Sequence, residues 1–299
     1  MSEVKGLSIL IPIYNYDTRA LVHQLLEQTS NLSLPFEIRC YDDGSSIEFR
    51  KINQELGFIN NIIYFDLPAN IGRSAIRNKL VKDALYSDLI LLDCDSKIVK
   101  EDFLDKYLGS ARNDMVLIGG TIYQNKSNKV YSLRWKYGKA REEKPVSIRS
   151  RELYEHITMN NMFIKKMIFI ENQLDESIRT YGHEDTKFGN MLKQKNIPIL
   201  HIDNPIEHCG LEQNQAFIDK TLEGIKNYYK LIKEGYAGTS RLHTAYNIIK
   251  YVPLRNIFIA VYTIMESNIR KNLLSENPSL LYFDLFKLRA LIEEKVKDQ

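Results

Sequence analysis

The sequence is short of several residue types and patterns, and each shortage excludes a class of protein. Three cysteines, 14 glycines and eight prolines among 299 residues are too few for a disulfide-stapled scaffold, a collagen-like fibre or a low-complexity linker. Excess charge is also missing, because 41 Lys and Arg against 38 Asp and Glu leave a net charge of +3, which predicts no nucleic-acid partner. No apolar run reaches the roughly 18 residues of a membrane span. The N-terminus lacks a signal-peptide pattern, and with the widely spaced cysteines this predicts a cytoplasmic globular protein.

The first third of the chain alternates between short apolar runs and helical patterns. The runs over residues 7–13 and 88–92 are apolar on both faces and predict buried strands. The other predicted elements here are strands at 36–41 and 62–65 and helices at 19–29 and 72–86. This alternation predicts an α/β fold, a Rossmann-type, mostly parallel sheet flanked by helices.

The rest of the chain is predicted to have two further parts. Residues 97–210 contain predicted strands at 115–118, 161–164 and 197–202, a helix at 184–195 and a loop-rich insertion at 123–151. From about residue 213 only long helical patterns follow. The sequence therefore predicts a sheet domain over 1–210, in halves 1–96 and 97–210, and a helical region over 211–299.

Two aspartates follow the most apolar predicted strand. Asp93 and Asp95 are separated by Cys94, and in extended chain residues i and i+2 point to the same side. Ligands of parallel sheets bind beyond the carboxyl ends of the strands. Paired carboxylates at that edge suit Mg²⁺ or Mn²⁺, which take further ligands from phosphates and water.

Two later positions could join this site. Glu184 and Asp185 begin a predicted helix, where acids either serve as N-terminal caps or hold a general base near the metal. His208 follows the strand at 197–202 and is either structural or a further ligand that favours Mn²⁺. His201, inside that strand, is predicted to be structural.

Seven segments in register resemble the family-2 glycosyltransferases, inverting enzymes with the GT-A fold. They cover about residues 5–210 and lie at 7–15, 42–46, 70–78, 93–95, 161–166, 173–176 and 182–185. The resemblance implies transfer of a sugar from a nucleotide diphosphate to an acceptor hydroxyl. Beyond the matched residues, the long helical patterns from about residue 213 predict a helical C-terminal extension.

The resemblance implies roles for individual positions. The residues that it implies for donor binding are Pro12, Tyr14, Asp17, Asp43, Arg73, Arg77 and Asp93. The implied metal ligands are Asp95 and His208, for Mn²⁺ or Mg²⁺, and the implied catalytic acids are Asp185, as the base, and Glu184. The acceptor side is assigned to Trp135, Lys136, Asn161 and His183. Asp43 at the base ring favours a pyrimidine, hence a UDP-sugar, and the family favours surface polysaccharide or glycolipid synthesis.

Two other functions compete with this interpretation. A sugar-phosphate nucleotidyltransferase would carry a glycine-rich, basic loop after the first strand, and residues 12–15 are neither. A non-catalytic nucleotide- or glycan-binding module would not need the four acids, whose presence argues against it.

Two basic segments suggest partners. Residues 126–151 hold nine Lys or Arg against two Glu, which predicts either a solvated loop or a groove for an anionic glycan or lipid-linked acceptor. Residues 241–271 hold five Lys or Arg against one Glu around an apolar run at 257–265. That run predicts a helix that lies on an anionic membrane, at its inner face, or packs in a homo-oligomer, or only covers the catalytic domain.

Overall fold

The strands follow the apolar runs of the sequence closely. The computed structural model describes residues 4–30, 32–125, 128–179, 181–237, 240–249, 251 and 253–298. Within them the strands are β1 (Leu7–Ile13), β2 (Phe36–Asp42), β3 (Ile62–Asp66), β4 (Asp88–Leu92), β5 (Ser96–Ile98), β6 (Val116–Ile118), β7 (Thr121–Ile122), β8 (Asn161–Lys165), β9 (Ile199–His201) and β10 (Ile206–His208).

Helices cover both faces of the sheet and form most of the last third of the chain. They are α1 (Arg19–Thr29), α2 (Ile47–Asn53), α3 (Arg73–Asp83), α4 (Phe103–Ser110), α5 (Ser132–Tyr137), α6 (Val146–Arg149), α7 (Lys166–Ile170), α8 (Glu184–Gln194), α9 (Asn214–Glu234), α10 (Arg241–Ile249), α11 (Leu254–Leu273) and α12 (Leu280–Lys297). The predicted α/β fold is confirmed.

The central sheet has the strand order β3-β2-β1-β4-β8-β6-β9. Strands β3, β2, β1 and β4 are parallel, whereas β8 runs antiparallel to both of its neighbours. A smaller sheet has the strand order β5-β10-β7, and its strand β5 directly follows β4 in the chain. The carboxyl ends of β1, β2 and β4 therefore meet at one edge, and the small sheet adds residues there.

The core lies on both faces of this sheet. Ile9 and Ile11 of β1 pack with α1 on one face, while Leu10 packs with α3 on the other, and all three are buried. Burial of such side chains stabilises the fold by about 1.5–3 kcal/mol each. A strand that is apolar at successive positions is thus fixed in the middle of the sheet.

The segment at 123–151 differs from the prediction of a loop-rich insertion. It contains α5, a π-helical turn at Gly138–Glu142 and α6. Leu133 of α5 is buried in a cluster with Phe217 and Phe283 from α9 and α12. These helices are too short to show a helical period in the sequence, and their apolar partners lie about a hundred residues further along the chain. The domain boundary near residue 210 stays a prediction, although α9 begins at Asn214.

Candidate active site

The loops after β1 and β2 are tied together at the edge of the sheet. The backbone N–H of Asn15 donates to Ser45 Oγ at 2.8 Å, and that of Ser46 donates to Asn15 Oδ1 at 2.8 Å. Gly44 has φ +72°, and a Cβ there would come within 2.5 Å of the backbone at Ala69 and Asn70. Only glycine fits this close approach of two loops. Tyr14 stands on these loops with 54% of its surface exposed, a ring that a flat ligand could stack on.

Asp43 connects β2 to the loop that precedes α3. Its carboxylate accepts hydrogen bonds from the backbone N–H groups of Ile71 at 2.7 Å and Gly72 at 3.2 Å. Burial raises the pKa of Asp43, although these two donors oppose the rise. Asp43 is thus held at the predicted donor site by the backbone, and its contact with a base stays a prediction.

The other two residues predicted on the first loop lie apart from this arrangement. Pro12 is inside β1, paired in register with Tyr41. Asp17 is exposed and forms an ion pair with Arg19 at 2.9 Å. Their predicted contacts with base and ribose remain predictions.

Arg77 joins two acids that are far apart in the sequence. Its Nη2 lies 2.5 Å from Asp93 Oδ1, and its Nη1 lies 3.8 Å from Glu184 Oε1. Only 4% of the Arg77 side chain is exposed, and its place in the segment that contacts the diphosphate or the donor sugar stays a prediction. In the structure Arg77 fixes the end of β4 against the start of α8.

Arg73, one helical turn earlier, reaches the same acids from the open side. Its Nε lies 3.5 Å from Glu184 Oε1 and its Nη2 3.8 Å from Asp93 Oδ2, with 38% of the side chain exposed. The guanidinium also lies over the ring of Tyr181 at 5.1 Å. Burial by itself would raise the pKa of Asp93, but the two arginines outweigh it and lower that pKa.

The start of α8 is strained and acidic. Gly182 and His183 have φ of +99° and +71°, and for histidine this left-handed conformation is uncommon. The turn brings Glu184 beneath the arginines and leaves Asp185 beside it, with Asp185 Oδ2 accepting from the backbone N–H of Met159 at 3.3 Å. Asp185 Oδ1 is buried without a hydrogen-bond partner among the described residues.

The environment of Asp185 disfavours its charged form. Burial raises its pKa to about 7, and the neighbouring Glu184 carboxylate adds to the rise, against the opposing effect of Arg77 and Arg73. A carboxyl group with this pKa can accept a proton near neutral pH. His183 next to it has its pKa lowered to about 4 by burial, and its ring stacks on Tyr228 at 4.5 Å. A cavity of about 130 Å³ lies beside these side chains.

Asp95 and His208 form a second pair at the same edge. His208 is opposite Ser96 in the small sheet, and its Nδ1 lies 3.4 Å from Asp95 Oδ1. Burial alone would lower the pKa of His208, but the contact with Asp95 outweighs it and raises that pKa. A Cβ at residue 210 would come within 2.0 Å of Asp95 Oδ2, so Gly210 is needed to leave room for the carboxylate.

The donor set at this pair fits a divalent cation that takes its other ligands from a substrate. Asp95 Oδ1 and His208 Nε2 are buried polar atoms without a hydrogen-bond partner among the described residues. In the same part of the chain no group of three or more His, Cys, Asp or Glu side chains is arranged to hold an ion by itself. Mg²⁺ and Mn²⁺ are commonly held by one or two protein ligands plus phosphate and water.

The sequence did not reveal a buried network behind His208. Tyr123 meets the His208 ring edge-on at 5.6 Å and donates a hydrogen bond to Glu142. Arg134 lies 3.0 Å from Glu142 and 3.3 Å from Glu212. This network joins the 123–151 segment, the residues before α9 and the predicted metal ligand. Its members lack a recognisable spacing, so a scan for motifs could not find them.

Two residues predicted on the acceptor side have other contacts. Asn161 is fully buried; its amide donates to the carbonyls of Gly120 and Asn204 at 2.8 Å, and its Oδ1 accepts from Tyr107 at 2.6 Å. Its side chain is therefore held by the fold, and its place on the acceptor side stays a prediction. Lys136 donates to Asn277 at 2.7 Å and so faces the C-terminal helices, not a groove. Trp135 donates to the Gln124 carbonyl at 2.8 Å and stays a prediction.

Several basic residues of the 126–151 segment are paired with acids. Lys126 lies outside the described residues. The ion pairs are Lys129–Glu276, Arg134–Glu142, Arg134–Glu212, Lys139–Glu143 and Arg141–Asp284. Arg149 is buried, donates to four main-chain carbonyls and approaches His201, which confirms His201 as structural. Acids of this segment and of the C-terminal region thus neutralise four of its basic residues, and an anionic acceptor stays a prediction.

Four carboxylates from two segments thus converge at the carboxyl edge of the sheet. Asp93, Asp95, Glu184 and Asp185 lie there with two guanidinium groups and one imidazole. This arrangement lies at the switch between β1 and β4, where ligands of open α/β sheets bind, and is typical of the active site of an α/β enzyme.

Comparison with known proteins identifies the family. The family described as "Glycosyl transferase family 2" matches residues 8–171, more than half of the chain. The chain therefore belongs to glycosyl transferase family 2 and is a glycosyltransferase. No curated protein matches it in sequence.

Two solved structures share its fold. Mannosyltransferase PcManGT from Pyrobaculum calidifontis, in complex with GDP-Man and Mn²⁺, is 10% identical over 98% of this chain and 86% of that chain, with a TM-score of 0.57. Residues 1–349 of TarS from S. aureus are 16% identical over 98% of this chain and 92% of that chain, with a TM-score of 0.50. At such identity the likeness establishes only the fold, which is GT-A-like.

Proposed function

We propose that this glycosyltransferase is an inverting, cation-dependent enzyme that transfers a sugar from a nucleotide diphosphate to a hydroxyl of a glycan or lipid-linked acceptor. The observation that carries the proposal is the convergence of Asp93, Glu184 and Asp185 around Arg73 and Arg77, next to the Asp95–His208 pair. Family resemblance alone supports a UDP-sugar as the donor and surface polysaccharide or glycolipid as the product.

Asp185 is the group that takes the proton. As the acceptor oxygen bonds to the anomeric carbon, the bond from that carbon to the β-phosphate oxygen breaks and its electron pair leaves with the nucleoside diphosphate. The hydroxyl proton passes to Asp185 Oδ1, the buried oxygen without a partner among the described residues. A pKa of about 7 leaves a substantial ionised fraction near neutral pH. A positioned base of this kind contributes on the order of 10²–10⁴-fold to the rate.

The two arginines have different tasks in this proposal. Arg73 is the more exposed and would lie against the diphosphate, where it stabilises the charge that develops on the leaving group. Arg77 is enclosed and holds Asp93 and Glu184 in place. Glu184, only 6% exposed, is a positioning residue that keeps both guanidinium groups at the site.

Asp95 and His208 would hold the cation. Mn²⁺ or Mg²⁺ bound there supplies Lewis-acid stabilisation of the diphosphate leaving group. The protein contributes His208 Nε2, which has no hydrogen-bond partner among the described residues, and the Asp95 carboxylate, for which Gly210 leaves room.

The test separates binding from chemistry. Melting temperature is measured with UDP, GDP and dTDP and their sugars, with and without Mn²⁺, and release of nucleoside diphosphate is measured in parallel. Asp95→Ala should lose the Mn²⁺-dependent stabilisation, whereas Asp185→Asn should keep it and lose turnover by at least about 10²-fold.

A matched control is Asp83→Asn, an aspartate paired with Lys79 at 2.9 Å on α3. It should change neither property. Full turnover in Asp185→Asn, or nucleotide stabilisation that is indifferent to Mn²⁺ and to Asp95→Ala, would contradict the proposal.

A further inference from the structure

Tyr123 lies beside the proposed metal ligand His208 because the small sheet pairs their two strands. In that sheet β10 runs parallel to β7, with Glu207 opposite Ile122. Tyr123 directly follows β7, and His208 is the next residue of β10. The two rings meet edge-on with their centroids 5.6 Å apart, a separation at which aromatic rings attract each other.

His208 can bind a cation only if its ring is held at a suitable angle. The lone pair of an imidazole nitrogen lies in the plane of the ring, and the torsion that turns this ring has only a broad preference of its own. Among the described residues the ring has one polar contact, from Nδ1 to Asp95 Oδ1 at 3.4 Å, and one aromatic contact, with Tyr123. Asp95 is itself a proposed ligand and would engage the cation, so Tyr123 is the contact that cation binding leaves in place.

Tyr123 is held at several points. Only 4% of the residue is exposed. Its backbone N–H donates to Glu143 Oε2 at 2.8 Å, and its hydroxyl donates to Glu142. Arg134 donates to the same hydroxyl at 2.9 Å and lies over the ring at 5.3 Å. Two consecutive acids thus hold the main chain and the end of the side chain of one tyrosine, which leaves the ring between them little freedom to turn.

The hydrogen-bond partners of Tyr123 come from an unusual turn. Glu142 ends the π-helical turn that begins at Gly138, and Glu143 follows it. Gly138 packs directly against the Tyr123 ring, and a Cβ there would overlap with the ring. π-Helical turns are rare and occur frequently at functional sites. This part of the 123–151 segment is therefore built closely around the position of the tyrosine ring.

We propose that Tyr123 is a positioning residue that fixes the orientation of the His208 ring for the divalent cation. The inference rests on the proposed function, in which Asp95 and His208 hold that cation. His208 Nε2 is buried and has no hydrogen-bond partner within the described residues, so a ring that keeps its orientation keeps this nitrogen available. Replacement of a residue that orients a metal ligand typically lowers metal affinity by about 10–100-fold.

The experiment compares two substitutions of Tyr123. The full chain is titrated with Mn²⁺ in the presence of the nucleoside diphosphate, UDP, GDP or dTDP, that stabilises the parent most, and free Mn²⁺ is measured by electron paramagnetic resonance. Tyr123→Leu removes the aromatic edge and should weaken Mn²⁺ binding about tenfold or more. Tyr123→Phe keeps the edge, so it should retain most of the Mn²⁺ affinity. It should nevertheless unfold at a lower urea concentration, because Glu142 and Arg134 lose a partner.

The matched control is Tyr41 on β2. It is also 4% exposed, and its hydroxyl likewise lies between an arginine and an acid, with Arg39 at 2.9 Å and Asp83 at 3.1 Å. Tyr41→Leu should lower the stability and leave the Mn²⁺ affinity unchanged. If Tyr123 were only structural, Tyr123→Leu would behave in the same way.

The outcomes separate this inference from the proposed function. The inference alone is overturned if Tyr123→Leu binds Mn²⁺ as tightly as the parent or Tyr41→Leu does, or if Tyr123→Phe loses as much affinity as Tyr123→Leu. A parent that binds no Mn²⁺ with any of the three nucleotides overturns the proposed function and the inference together. Thermal unfolding shows which variants are folded at the titration temperature, and Tyr123→Phe, which preserves the packing, tests the inference even where Tyr123→Leu does not fold.

Discussion

Replacement of Asp185 by asparagine should stabilise the protein above neutral pH. In the folded protein, burial and the neighbouring Glu184 raise the pKa of Asp185 from 3.8 to about 7. Between these two values the folded chain binds more protons than the unfolded chain, so the free energy of unfolding falls as the pH rises through this window. Above pH 7 the folded protein carries the full cost of a buried carboxylate, and asparagine removes that charge while its amide oxygen still accepts from Met159.

The size of the effect follows from the shift. Three pKa units correspond to an upper limit of about 4 kcal/mol, at 1.36 kcal/mol per unit. The Asp185 side chain is only partly buried, and its ionisation is coupled to that of Glu184. Both effects reduce the expected gain to about 1–2 kcal/mol at pH 8. For a chain of this length that gain raises the melting temperature by about 2–4 °C.

The assay is thermal unfolding of the parent and Asp185→Asn at pH 5, 6, 7 and 8. The difference in melting temperature between Asp185→Asn and the parent should grow as the pH rises from 5 to 7 and change little above pH 7, because the stability loss runs from the unfolded pKa of 3.8 to the folded pKa of about 7. Asp83→Asn is the control of opposite sign, because Lys79 and Tyr41 hold the pKa of Asp83 below its ordinary value, against the effect of burial. An Asp185→Asn protein that is less stable than the parent at pH 8, or differs from it by the same amount at every pH, would refute the reasoning.

Three other expectations concern neighbouring residues. Asn161→Leu should lower the free energy of unfolding in urea by about 3 kcal/mol or more, because Tyr107 and two carbonyls lose their partner. Unchanged stability together with a raised KM for the acceptor would instead support an acceptor role. Glu184→Gln should move the acid limb of the pH–rate profile about one unit lower, since it removes the charge that opposes ionisation of Asp185; a shift to higher pH would contradict this. Arg134→Met should cost about 3–5 kcal/mol in urea unfolding, because two acids lose their buried partner; no loss of stability would remove the network from the fold.

The sheet could be predicted closely because its strands have a strong local signal. β1 and β4 have the bounds that the sequence predicts, since each is an apolar run closed by polar residues and is buried on both faces. Elements with weaker local signals have bounds that differ from the prediction. The predicted helix at 72–86 ends at Asp83 as α3, and the strand at 197–202 is reduced to Ile199–His201.

The candidate site could be predicted in part. The strand-end rule locates Asp93 and Asp95 without further help, because it depends on one strand. The acids of α8 and His208 come from parts of the chain that only the family resemblance connects with that edge. The structure brings them there through Arg77 and through the pairing of β10 with β5.

Charge counted along the sequence overstates the unpaired positive charge at 126–151, and the reason is physical. The basic segment at 126–151 has an excess of seven positive charges over a short window. Its neutralising partners Glu276 and Asp284 lie near the start of α12, and Arg141 and Asp284 are 143 residues apart. A charge is solvated or paired according to what folds against it, and a window of sequence does not contain that information.

The two arginines of α3 likewise differ in environment for a reason that the local sequence does not contain. Arg73 and Arg77 are four residues apart and so share a face, and by spacing alone they are equivalent. They differ because the start of α8, over a hundred residues later, closes over Arg77 and leaves Arg73 partly open. The enclosed guanidinium of Arg77 can bind two carboxylates where water is excluded, whereas only the partly exposed guanidinium of Arg73 can also contact an incoming phosphate. In the proposed mechanism their different roles are therefore set by tertiary packing. Exchange of Arg73 for lysine would test its role through nucleotide affinity, and exchange of Arg77 for lysine would test its role through stability.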